Sequence, residues 1–103
     1  MTTPLRISIP HQLGRIEARR RIETGFASLA RQLPGGGSVS SQRWDGDRLA
    51  FSVSAMGQAV TGSIEVLDST VTIDVVLPGL LGAIAGAFKE RLRRAGQLLL
   101  TKG

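Results

Sequence analysis

Three consecutive stretches of this chain alternate apolar and polar residues, and turn residues separate each from the next. Leu49, Phe51, Val53 and Ala55 alternate with Ala50, Ser52 and Ser54. Val60, Gly62, Ile64 and Val66 alternate with Thr61, Ser63 and Glu65. Val71, Ile73, Val75 and Leu77 alternate with Thr72, Asp74 and Val76. A period of two sends every second side chain to the same face of a strand. Connections as short as Met56-Gly57 and Asp68-Ser69 join antiparallel neighbours, because parallel strands need a long crossover. One face of each strand is apolar and the other is rich in Ser and Thr. That is the pattern of an antiparallel sheet covered on one side only.

The rest of the chain supplies the cover. Leu5, Ile7 and Ile9 alternate with Arg6 and Ser8, and Pro10 ends this first strand. From His11 to Leu33 the spacing is helical, with Leu13, Ile16, Ile22, Phe26, Leu29 and Leu33 on one stripe. Gly25 weakens such a helix by about 1 kcal/mol relative to Ala, which predicts a close neighbour there. Pro34-Gly35-Gly36-Gly37 is a flexible break, Val39 to Trp44 a further strand, and Asp45-Gly46 a two-residue hairpin signal. A last helix begins near Pro78 or Gly79, with Leu81, Ile84, Phe88, Leu92, Ala95 and Leu99 as its main stripe. The order β-α-β-β-β-β-α predicts a two-layer α+β domain spanning residues 1–103. Both helices are expected on the apolar face of a five-stranded, mainly antiparallel sheet.

Composition narrows the chemistry. A chain of 103 residues is expected to form one domain with one modest core. It has no cysteine, hence no disulfide or thiolate chemistry. Met1 to Arg6 lacks the basic-then-apolar build of a signal peptide. The longest apolar stretch, Val75 to Phe88, is too short and glycine-rich to span a bilayer. A cytoplasmic location is the expectation. The formal net charge is +5. Arg15, Arg19, Arg20, Arg21 and Arg31 outnumber Glu17 and Glu23 in the first helix, while Lys89, Arg91, Arg93, Arg94 and Lys102 face Glu90 alone in the last. The segment between is net acidic. A positive field on two helices favours an anionic partner.

Catalytic and metal signals are thin. His11 is the only histidine, and no Ser-x-x-Lys, Gly-x-Ser-x-Gly or His-Glu pattern accompanies it. At a helix start after a proline, its expected role is to cap or orient the first turn. One His cannot make a zinc site, and Asp45 with Asp47 supplies too few oxygens for a calcium loop. The glycines at 35–37 follow a helix and precede a strand with no adjacent lysine, which is not a phosphate loop. Arg19-Arg20-Arg21 splays over about 200° of a helix and forms no narrow stripe. With no tyrosine and few aromatics for base stacking, nucleic acid is not the favoured partner. No cofactor is implied.

The last third carries more apolar surface than one small sheet needs. Gly82-x-x-x-Gly86, flanked by Ala83, Ala85 and Ala87, allows close approach to a neighbouring backbone. Leu80, Ala83 and Ala87 cannot all point where Leu81, Ile84 and Phe88 point. The surplus predicts a contact patch near Leu80, Leu81, Ala83, Ala87 and Phe88, with Arg91, Arg93 and Arg94 at its rim.

Several segments also resemble a known family. These are His11-Gln12-Leu13-Gly14 with Ala18, the hairpin Trp44-Asp45-Gly46-Asp47-Arg48-Leu49-Ala50-Phe51, and Gly62-Ser63-Ile64-Glu65-Val66, followed by Leu77 through Leu81-Gly82 and Lys89-Glu90-Arg91-Leu92. Together they look like the polyhydroxyalkanoic acid system family, small bacterial proteins associated with polyhydroxyalkanoate granule genes. The resemblance covers nearly the whole chain. It implies a non-enzymatic role in granule formation, coating or regulation, with the granule surface or granule proteins as partners, and it carries over no catalytic residue. Two other readings of the residues stay open. The surplus surface can serve a homodimer or another protein, or a pocket between sheet and helices can hold a small apolar ligand.

Overall fold

A computed structural model describes residues 2–33 and 35–101, excluding the side chains of Thr2 and Leu80. Pro34 of the expected glycine-rich break and Lys102 of the basic C-terminal segment lie outside the described residues. The elements are β1 (Thr2–Pro10), α1 (Gly14–Ala30), β2 (Gly37–Asp45), β3 (Arg48–Ala55), β4 (Gln58–Val66) and β5 (Thr70–Pro78). A 3₁₀ turn over Gly79–Ile84 then leads into α2 (Ala85–Leu100). The protein has an α+β fold. All five strands pair antiparallel in the spatial order β1-β5-β4-β3-β2.

The three alternating stretches form β3, β4 and β5, and their apolar residues face the helices. Leu49, Val53, Val60, Ile64, Val66, Val71, Ile73, Val75 and Leu77 are buried. Ile7 pairs with Ile73 and Ile9 with Val71, which brings β1 alongside β5. Helix α1 therefore crosses from one sheet edge to the other before β2 begins. It packs toward β2 and β4, while α2 lies over β1 and against α1. Gly25 admits the Leu99 side chain at the helix–helix contact, and Gly96 admits Ile9. The close neighbour expected at Gly25 is thus the second helix.

Four local expectations need correction. The β2–β3 loop is Gly46–Asp47 and not Asp45–Gly46, since Asp45 pairs with Arg48. Gly46 takes φ +61° at the first loop position, which glycine tolerates without strain. Helix α1 is shorter at both ends than 11–33. Gly14 turns with φ +78° at its start, and Gly35 and Gly36 reverse the chain with φ +75° and +82°. Ile16, expected on the buried stripe, is 88% exposed. It lies about 200° around the helix from Ala18, and the small residues Ala18 and Gly25 occupy the buried face instead. Ile84 is exposed rather than part of the last stripe. Its φ of −112° and ψ of 18° break the path between the 3₁₀ turn and α2, so one helical phase does not run through both.

β2 is an edge strand with mostly exposed side chains and a bulge between Val39 and Ser41. Edge strands carry such irregularities because a flat free edge invites pairing with other chains.

Candidate functional site

The two basic helices differ in what surrounds their charges. In α1 nearly every arginine has a local acceptor. Arg15 reaches Asp47 and Asp68 at 3.4 and 3.2 Å, across the β2–β3 and β4–β5 loops. Arg19 pairs with Glu23 at 3.3 Å and lies over the Trp44 ring, 4.3 Å from its centroid. That stacking is a cation–π contact. Arg20 and Arg21 share the Glu17 carboxylate at 2.9 Å each. Hydrogen bonds from Arg20 and then Arg21 hold the Glu17 carboxyl down to about 2, so it stays charged into acid that would protonate an ordinary glutamate. Arg21 also donates to the carbonyl oxygen of Thr101 at 2.6 Å, tying α1 to the end of α2.

In α2 the cations are largely free. Arg93 has a long contact with Glu90, 3.8 Å. Lys89, Arg91 and Arg94 make no ion pair among the described residues. Arg31, Arg43 and Arg48 are the other described cations without one, but they are scattered over the end of α1 and the sheet. The free positive charge therefore concentrates on α2.

That charge shares a helix face with apolar groups. α2 buries Phe88, Leu92, Gly96 and Leu100. Its opposite face carries Ala87, Arg91, Arg94 and Leu98, spaced three or four apart and thus in one row. Ala83 and Ile84, in the 3₁₀ turn just before α2, are also exposed, as is Leu98 at 74%. Gly86 has open space where a side chain would stand, whereas Gly82 is pressed against Thr3. The small-residue pair thus does two jobs: one glycine packs on β1 and the other opens to solvent.

The predicted patch divides accordingly. Ala83, Ala87, Arg91, Arg93 and Arg94 are exposed, and of the arginines Arg91 and Arg94 lie in the outer row while Arg93 lies about 200° around the helix from Arg91. Leu81 and Phe88 are 2% and 4% exposed and belong to the core, which removes them from any contact with a partner. The side chain of Leu80 lies outside the described residues. The residue spacing missed Ile84 and Leu98. A signal for Leu98 was present, because three successive leucines at 98–100, each turned about 100° from the last, cannot all face inward.

His11 plays the structural part expected of it. It is buried, its Nδ1 accepts the Leu13 N–H at 3.2 Å, and its Nε2 lies 3.1 Å from the Leu67 carbonyl oxygen. Accepting at Nδ1 places the proton on Nε2, which then donates to Leu67. The ring so clamps the start of α1 to the β4–β5 loop. His11→Ala removes both bonds and is expected to cost about 1–2 kcal/mol. Urea unfolding would measure it; a change below about 0.3 kcal/mol would show that the clamp carries no stability.

Among the described residues no group of three or more His, Asp or Glu side chains is placed to hold a metal ion. No described helix is long and apolar enough to cross a membrane. Between the sheet and the helices lies a cavity of about 30 Å³, lined only by apolar side chains that include Phe26, Phe51, Phe88 and Leu92. Its size suits no ligand larger than a small apolar group.

A family model described as "Putative polyhydroxyalkanoic acid system protein" matches residues 5–99. The chain belongs to this family. The match runs from β1 to the last turn of α2, so it takes in both the sheet and the cationic helix face. No curated protein matches the chain. Among solved structures the chain is similar to the crystal structure of Ara h 8.0201, at 7% identity and a TM-score of 0.41, covering 97% of this chain and 98% of that one.

Proposed function

We propose that this member of the polyhydroxyalkanoic acid system family is a non-enzymatic, cytoplasmic accessory protein that binds or regulates the granule surface through the outer face of α2. The observation that carries the reading is the row Ala87, Arg91, Arg94 and Leu98 on α2, preceded by the exposed Ala83 and Ile84 of the 3₁₀ turn. There, exposed apolar groups adjoin arginines that make no ion pair among the described residues. A polyester inclusion presents an apolar surface, and its chains end in carboxylates. Apolar contact with cations at the rim suits such a boundary. The paired arginines of α1 have already spent their charge within the fold.

Co-sedimentation of the pure protein with polyhydroxyalkanoate beads tests the reading. Ala87→Glu and the double variant Arg91→Glu/Arg94→Glu change exposed positions and should leave the circular dichroism spectrum intact. Each reversed charge near an anionic surface is worth about 1 kcal/mol or more, so the double variant should bind at least about tenfold more weakly. Added salt should weaken the wild-type protein only in part, because apolar contact survives screening. Equal adsorption by wild-type protein and both variants would refute the α2 contact.

A further inference from the structure

A second surface lies beside this row, in the groove where α1 and α2 meet. Its floor is Gly25, Leu29, Ala95 and Leu99, and its walls are Ser28 on α1, Gln32 in the turn after it, and Leu98 on α2. The groove has a volume of about 340 Å³ and its lining is mainly apolar. Leu98, 74% exposed, stands at its lip. Neither arginine lines the groove, but Arg91 lies one turn before Ala95 and Arg94 one turn before Leu98, which sets both cations beside its α2 side. A concave apolar trough between two helices fits a third helix better than it fits a flat surface.

We propose that this groove docks an acidic amphipathic helix of a partner protein, with apolar anchors on Ala95, Leu98 and Leu99 and carboxylates facing Arg91 and Arg94. Charge selects the occupant. A second copy of this chain is a poor fit, because its net charge is +5 and its acidic residues are mostly engaged. Glu17, Glu23, Asp47, Asp68 and Asp74 hold arginines, and Glu90 faces Arg93. Asp45 and Glu65, which make no ion pair among the described residues, lie on β2 and β4 and form no helical acidic stripe. The occupant must therefore bring its own carboxylates. The groove shares Leu98, Arg91 and Arg94 with the outer row of α2, but its α1 side, Ser28 and Gly25, takes no part in that row, so a change at Ser28 separates the two readings.

The probe is a synthetic amphipathic peptide with leucines at i, i+3, i+4 and i+7 and glutamates on the flanks, titrated by fluorescence anisotropy against the full chain. A second peptide carries lysine for each glutamate. Binding of the glutamate peptide, weakened at least tenfold by Ser28→Glu and by Arg91→Glu/Arg94→Glu, is the expected result. The lysine peptide should bind the double arginine variant better than it binds the wild-type protein. Ser28→Glu should leave bead adsorption unchanged, which separates this inference from the granule reading. Absence of glutamate-peptide binding at millimolar concentration, or binding that the variants do not alter, would overturn the proposal. So would anionic phosphatidylglycerol vesicles binding the chain while the peptide does not.

Discussion

Gly62→Ala is expected to cost about 3 kcal/mol of stability, near the upper end for overpacking a core, and to lower the melting temperature by roughly 15 °C. Gly62 sits mid-strand in β4, facing inward, paired with Phe51 on one side and Val75 on the other. A Cβ there would overlap the carbonyl oxygen of Asp74 and stand 2.9 Å from Phe51 Cζ. The Phe51 ring is itself held by Phe26, centroids 5.0 Å apart. The first obstacle is backbone of the neighbouring strand, so relief requires β4 and β5 to separate at the middle of the sheet. A rotamer change cannot supply it. Thr61→Ala, one residue away on the exposed face, should change stability by no more than about 0.5 kcal/mol. Thermal and urea unfolding of the two variants would settle the matter. A Gly62→Ala protein within about 0.5 kcal/mol of wild type would show that the two strands are not in close contact at this point.

Leu81→Ser has an effect of similar or greater size, and it bears on how the granule contact is tested. Leu81 adjoins the exposed Ala83 and Ile84 in the same 3₁₀ turn, yet its side chain is 2% exposed and part of the main core. Truncating a buried leucine costs about 2–5 kcal/mol, and a serine adds a hydroxyl with no partner in an apolar site. The sum approaches the whole stability of many domains of this size. Loss of bead adsorption by Leu81→Ser would therefore report unfolding rather than a lost contact. Ala83→Ser, two residues on and exposed, should stay within about 0.5 kcal/mol of wild type. Comparing the two by circular dichroism against temperature makes the distinction directly. A Leu81→Ser protein as stable as wild type would mean that Leu81 is not in the core.

The legible part of this fold was the part with a local period. Alternation in β3, β4 and β5 and the turns at Met56-Gly57 and Asp68-Ser69 reappear in the structure, as does the orienting role of His11 at the start of α1. The Asp45-Gly46 signal found the hairpin and missed its register by one residue, because the glycine is needed at the first loop position. Met56 was read correctly as a turn residue, although its φ of +53° is one that side chains seldom adopt. Ile16 falls outside the core because small residues take the buried face of α1, and Ile84 because the helical phase breaks at its own backbone. Ala18, Gly25 and Gly96 do the packing where helices approach closely. Only distances between helices reveal that.

The candidate site divides along the same line. Sequence alone determined that α2 is amphipathic, that it carries small residues at its start, and that cations cluster in it. Those are properties of neighbours along the chain. It equally showed a cationic α1, and by count the two helices look alike. Tertiary structure decided between them. The topology carries Asp47 and Asp68, on loops far from α1 in sequence, to Arg15, while among the described residues no carboxylate pairs with Arg91 or Arg94. Charge neutralisation depends on distance through space, and the path of the chain through the sheet sets that distance. Burial follows the same logic: Leu81 and Ala83 are two residues apart, yet only the placement of β1 and β5 beneath them puts one in the core and leaves the other in water.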